Sequence, residues 1–395
     1  MSERGDRCIK VKKHPQLNMN PALSLPDVRS LATLALFLFV SSLPANAFPS
    51  KETATPKTFT EWCLNKANSS LETLRTIDAL LQEAKTPDCH QAEKLLSTLT
   101  KLSLYDKQIT DLRPLSTLTN LTALDLGKNQ ITNLKPLSTL TNLTELGIYF
   151  NQIADLKPLS TLTNLTALSL GDNQIADLKP LSTLTNLTEL TLHNNQIADL
   201  KPLSSLTSLI GLLLSDNSIA NIKPLSTLTN LTALALGNNE LADINALSTL
   251  TNLTYLNLNN NQIADLMPLS TLTNLTDLSL YNNQIANLMP LSELTNLTTL
   301  KLGNNQITDL KPLSGLTNLT HLRLNKNQII DLKPLSTLTN LNRLDLYNNQ
   351  IADFRPLSGL TNLTTLYLDN NQMLTDKTCP VQPESICRSV PLPRE

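Results

Sequence analysis

The sequence predicts an α/β solenoid, a coil of stacked repeats and not a globule, on three observations. An Asn recurs every 22 residues, from Asn129 through Asn151 and Asn173 to Asn371, without a slip. Around each runs nearly the same segment, L-x-L-x-x-N-Q-I-x-D-L-x-P-L-S-x-L-T-N-L-T, and a fixed period of this kind means stacked copies of one unit. Leucine dominates while aromatics make up only 3% of the chain, as suits a core of identical layers. Thirteen L-x-L units, Leu102/Leu104 through Leu366/Leu368, place the repeats over residues 99–373.

The first 47 residues read as a secretory signal. Arg29 precedes an apolar run from Leu31 to Val40, and Ala45-Asn46-Ala47 supplies the small-x-small cleavage pattern. That run is about half of the roughly 20 residues that span a bilayer as a helix, so a cleaved leader is expected and a retained anchor is not. Residues 1–18 are polar for a leader, and Met19 opens a more ordinary one, which points to Met19 as the start codon. Phe48, not Cys, follows the cleavage site, so no lipid anchor is expected there. Export to the periplasm or medium follows. Loss of the leader takes the formal charge from −2 to about −5, with no basic block for nucleic acid. A monomer is expected.

Residues 48–98 read as a polar linker followed by a helical cap. Ser69 with Glu72 forms a capping-box pattern, and Leu71, Leu74, Ile77 and Leu81 continue at helical spacing to about Ala84. Thr86-Pro87-Asp88 breaks the helix, and Asp88 with Gln91 caps a second one carrying Leu95 and Leu96. Trp62 is expected inside this hairpin, which covers the open apolar end of the first coil. Cys8 leaves with the leader. Cys63, Cys89, Cys379 and Cys387 remain, two at each end and none in the repeats, a usage that reads as two disulfides in an oxidising compartment. Of three connectivities, Cys63–Cys89 with Cys379–Cys387 is favoured because a solenoid holds its ends apart. Cys379 and Cys387 lack the short spacing of zinc ligands. Residues 374–395 form the C-terminal cap and tail.

Within each repeat the paired leucines point the same way from a strand, into the coil. Twenty-two residues leave no room for a full crossover helix, so the return limb should be short and partly 3₁₀ on the convex side. Strands of successive coils pair in parallel at about 4.8 Å and line the concave side. The Asp of I-x-D suits a cap, and the Pro three residues later sits where its missing N–H costs least. The recurring Asn is expected to satisfy backbone groups where the strand turns away. Lys107 replaces it in the first unit.

With these residues in view, the repeat resembles the leucine-rich repeat family, and its P-L-x-x-L-T-N-L-T-x-L form resembles that of bacterial internalins. The cysteine-bearing hairpin is similar to the front end of exported cyanobacterial leucine-rich repeat proteins. The resemblance implies an extracytoplasmic, receptor-binding solenoid.

Signals of chemistry have plainer readings. Asp111, Asp155, Asp177, Asp199 and their successors stack about 5 Å apart, as a Ca²⁺ ladder would. Asn133, Asn221 and Asn287 replace them freely, as a cap tolerates and a charged cage does not. The N-L-T triplets match a glycosylation pattern but follow from the repeat. His90, His193 and His321 stand far apart with no nucleophile motif, so an enzyme is not expected, nor any cofactor or metal.

Specificity is expected where the copies disagree, beside and just after the leucines. Glu145, Asp172, Glu189 and Asp216 make one end of the concave face acidic. Lys301, His321, Arg323, Lys326 and Arg343, against Asp345, make the other basic. Tyr149, Phe150, His193, Tyr255, Tyr281, Tyr347 and Tyr367 stud it, and Tyr and Arg are favoured interface anchors. The expected function is an exported, non-enzymatic scaffold binding a protein or peptide on this face. The alternative is an envelope polysaccharide ligand, held by amides such as Asn259, Asn260, Asn282, Asn304 and Asn348.

Overall fold

A computed structural model of the chain describes residues 56–372 and 379–388. The expected leader lies outside the described residues, as does the rest of the C-terminal tail. Three short helices open the described chain: α1 (Phe59–Leu64), α2 (Leu71–Ala84) and α3 (Cys89–Leu96). Among the described residues, fourteen strands then form one parallel sheet in strict sequence order, from β1 (Lys101–Ser103) to β13 (Thr365–Tyr367) and β14 (Cys387–Arg388). Short 3₁₀ turns on Lys-Pro-Leu-type segments carry the return limbs. No described helix is long and apolar enough to cross a membrane.

The cap departs from expectation in three places. Ser70, not Ser69, caps α2, its Oγ accepting from the Thr73 amide at 3.4 Å. The cap residue needs extended backbone, and Ser70 has it with ψ 161°. The buried stripe of α2 runs through Thr73, Thr76, Ile77, Leu80 and Ala84, while Leu71 is 62% exposed. Asp111 of the first coil decides that rotation: its Oδ2 accepts from Thr73 Oγ1 at 2.6 Å, and its backbone carbonyl accepts from Thr76 Oγ1 at 2.7 Å. Trp62 is buried beside the first coil and not within the hairpin alone, with the Arg113 guanidinium 5.5 Å from its ring centroid. Asp88 caps α3 as expected, accepting from the Gln91 amide at 2.7 Å. Disulfides join Cys63 to Cys89 and Cys379 to Cys387.

Each coil buries its inward-facing leucines and isoleucine in one continuous core, while Ile210 and Ile330 point outward and are exposed. The recurring Asn makes the coil-to-coil ladder. Asn151 donates through Nδ2 to the carbonyls of Leu126 (3.0 Å), Ile148 (3.1 Å) and Tyr149 (3.1 Å). Its Oδ1 accepts from the Ile131 amide of the preceding coil at 3.0 Å. The capping acids serve the next turn: Asp155 Oδ1 accepts from the Lys157 amide at 2.8 Å and Asn133 Oδ1 from the Lys135 amide at 2.9 Å. Asp and Asn are interchangeable there because only an acceptor oxygen is needed, charged or not. The N-L-T triplet is structural too, Asn142 Nδ2 donating to the Thr119 carbonyl of the coil before at 2.9 Å.

Candidate functional site

The strands set the concave face in register, so every outward position stacks on its counterpart 22 residues away. Near the C-terminal end, β10 (Thr299–Lys301), β11 (His321–Arg323) and β12 (Arg343–Asp345) align His321 with Arg343, and Lys301 with Arg323, Asp345 and Tyr367. Tyr281 and Tyr347 occupy the next row. The structure thus brings together most of the predicted basic and aromatic residues. Asp345 is only 5% exposed, its Oδ1 accepting from the Tyr347 amide at 3.1 Å. Burial pushes its carboxyl above the usual range, against the pull of that amide and of Arg323 and Arg343. It therefore sits as a buried acid within the charge field of the two arginines.

Tyr367 is corrected: at 8% exposed it is no surface anchor. The fourteenth strand pairs with β13 and places Arg388 in register with Tyr367, so that row has a further strand beyond it. Tyr255 is 41% exposed in the middle coils, joined to neither end, and burial of the rest of its ring raises its phenol above the ordinary value. His193 lies 3.1 Å from Asp172, across the flat Gly171. Glu189 lies over Gly211, and burial lifts its carboxyl above the usual range.

Phe150, Asp172, Asp216 and Lys326 are not in the strands. They belong to a row of thirteen residues, Asp106 through Asn370, with φ between 52° and 59°. In this left-handed turn the amide reaches the next coil, Lys128 N donating to the Tyr149 carbonyl at 2.8 Å. Asn and Asp tolerate such backbone and a bulky residue does not, so the 54% exposed Phe150 is held against a local cost.

The N-terminal end holds a cluster that sequence reasoning missed in part. Tyr105 and Tyr149 stand 6.2 Å apart between centroids, and Phe150 meets Tyr149 edge-on at 6.1 Å. Tyr105 lies in the first, atypical unit, yet it occupies the same strand-following position as Tyr149, and that was the available signal. Beside the cluster is a depression of about 370 Å³ over the first four strands, lined by Lys101, Ser103, Asp125, Glu145, Gly147 and Ser169 among others. Among the described residues, no group of three or more His, Cys, Asp or Glu is placed to hold a metal ion.

Comparison with known proteins places this architecture. The family profile described as Leucine Rich repeats (2 copies) matches in overlapping copies over residues 97–205 and in successive copies over 251–377. No curated protein matches in sequence. Among solved structures, an internalin (inlF) from Listeria monocytogenes is 34% identical, covers 87% of this chain and is itself covered completely, with a TM-score of 0.78. A leucine-rich repeat protein from Leptospira interrogans is 26% identical over 75% of this chain and 95% of its own, with a TM-score of 0.53. The plant peptide hormone receptor RGFR1, solved in complex with RGF2, shares the fold at 20% identity, over 67% of this chain and 54% of its own, with a TM-score of 0.56. Matched over more than half its length by the family profile and over most of it by a Listeria internalin, the chain belongs to the leucine-rich repeat family as a bacterial, internalin-like member.

Proposed function

We propose that the protein is an exported, non-enzymatic recognition scaffold that binds a protein or peptide partner on its concave sheet. The single observation that carries this reading is the alignment of His321 with Arg343, and of Lys301 with Arg323, on adjacent strands beside Tyr281 and Tyr347. Buried Asp345 lies within the field of the arginines, and the parallel strands hold the backbone of the row in fixed register, so the surface is largely formed before a partner arrives. Such a surface suits an acidic segment, with Tyr and Arg as anchors. The two disulfides and the internalin likeness support an extracytoplasmic site of action. Leucine-rich repeat proteins generally bind protein or peptide partners, as the receptor–RGF2 complex illustrates for that receptor.

The test replaces Tyr281, Arg323, Arg343 and Tyr347 together by Ala, followed by cross-linking capture from the envelope fraction. Capture should be abolished while the circular dichroism spectrum is retained. Undiminished capture by a folded variant refutes the patch. A second reading, envelope polysaccharide, is favoured by one feature: the exposed edge run in which Asn260 donates to Asn238 at 2.6 Å and Asn282 to Asn260 at 2.7 Å. Saturable binding on a glycan array, competed by free sugar, would promote it over the protein partner.

A further inference from the structure

The opposite end of the concave face is built from different chemistry. The depression over β1, β2 (Ala123–Asp125), β3 (Glu145–Gly147) and β4 (Ala167–Ser169) has a floor of small residues, Ser103, Ala123, Gly147, Ala167 and Ser169. A Cβ on Gly127 would fall 2.5 Å from Tyr149 Cζ, so only glycine lets that ring lie flat across the neighbouring coil. A Cβ on Gly147 would stand 3.3 Å from Asp125 Oδ1 and 3.4 Å from Tyr149 Cε1, which puts the carboxylate and the ring on either side of one open position. Asp125 is held there by the Gly127 amide at 2.9 Å and Ser103 Oγ at 3.2 Å. Glu145 is exposed in the adjacent row, one strand on from Asp125. The aromatic cluster already takes a cation within the chain: Lys128 Nζ sits 5.9 Å from the Tyr105 centroid while paired to Asp106 at 2.7 Å.

We infer that this depression is a second, separate binding site, which takes an arginine or lysine side chain of the protein partner against the Tyr149 ring and between the Asp125 and Glu145 carboxylates. A cation over an aromatic face, with carboxylates beside it, is the arrangement such a side chain favours. Lys101 shares the row of Glu145 but stands two strands away, at the far rim. The inference rests on the reading of the concave face as a protein-binding surface and extends it. The acidic, aromatic end receives a basic side chain and the basic end an acidic segment, so the partner lies along the coil in one direction only.

Saturation-transfer NMR on the full chain tests the site, with N-acetyl-arginine methylamide as probe and the citrulline analogue as its neutral isostere. The arginine probe should respond about tenfold more strongly than citrulline, the combined effect of a cation–π contact and a carboxylate pair. Glu145→Gln, an exposed change that spares the fold, should weaken the response. Tyr149→Ala should remove it, while Tyr149→Phe retains it. Equal responses to arginine and citrulline, or an arginine response indifferent to Glu145→Gln and Tyr149→Ala, overturn the inference. So does a response to free sugar with no preference for arginine. The probe needs no macromolecular partner. An intact arginine response alongside unchanged partner capture by the quadruple Ala variant would therefore sink the C-terminal patch alone.

Discussion

Replacing Asn239 by Ala isolates the worth of one rung in the ladder. Asn239 is 9% exposed, and its Oδ1 accepts from the Ile219 amide at 3.0 Å. Its Nδ2 donates to the carbonyls of Leu214 (3.0 Å), Leu236 (3.1 Å) and Gly237 (3.2 Å). Not all of these groups are orphaned by the change. Leu214 O also accepts from Asn217 Nδ2 at 3.0 Å, Leu236 O from Asn261 Nδ2 at 3.0 Å, and Gly237 O from the Asp216 amide at 2.8 Å. The Ile219 amide has the Asn239 oxygen for its acceptor and loses it inside a closed coil. One buried orphan donor costs about 1–3 kcal/mol, and the weakened carbonyl bonds add about 1, so a loss of roughly 3 kcal/mol is expected. Because each coil touches only its neighbours, the damage should be local, and unfolding should divide between the coils on either side. Urea unfolding followed by circular dichroism gives the loss, and hydrogen exchange should show Ile219 deprotected while amides near Leu104 and Leu324 are unchanged. A cost below about 1 kcal/mol, the scale of an exposed cap such as Asp199, would refute the claim that the ladder carries the coil.

Two further outcomes follow from the N-terminal coils. Burial disfavours the Asp111 anion, but the hydrogen bonds from Arg113 and Thr73 outweigh it and hold its carboxyl below the usual range. A depressed acid stabilises the fold above its unfolded-state pKa, and that contribution is lost as pH falls through the folded value. Helix α2 should therefore lose amide protection in acid before the repeats do, and Asp111→Asn should remove the difference; identical pH profiles in the two proteins would contradict this. Phe150→Asn places a tolerant residue in the left-handed turn and should raise stability by about 1 kcal/mol, read from the urea midpoint. A destabilised variant would mean that the edge contact with Tyr149 outweighs the backbone cost.

Much of the architecture was legible because it is local and repeated. The 22-residue period, the inward leucines, the short return limbs and the Asn ladder each depend on residues within one coil or its neighbour, and repetition makes them visible in the chain. The partition of cysteines by end was equally legible, since a rod keeps its ends apart. The basic cluster of Lys301, Arg323 and Arg343 could be located because one period converts sequence spacing directly into strand register.

Tertiary structure decided what depends on contacts that the period does not encode. The face of α2 turned inward is set by Thr73 and Thr76 meeting Asp111, across an interface that occurs once. Tyr367 is buried, and beside it the disulfide-closed segment returns as a strand, which its unrepeated sequence does not announce. The aromatic cluster beside the depression depends on Gly127, whose missing side chain lets the Tyr149 ring lie across a neighbouring coil. The sequence by itself therefore determined the coil and its spacing, through interactions that recur in each repeat. The two ends and the shape of the concave face were left to packing between residues that meet only once.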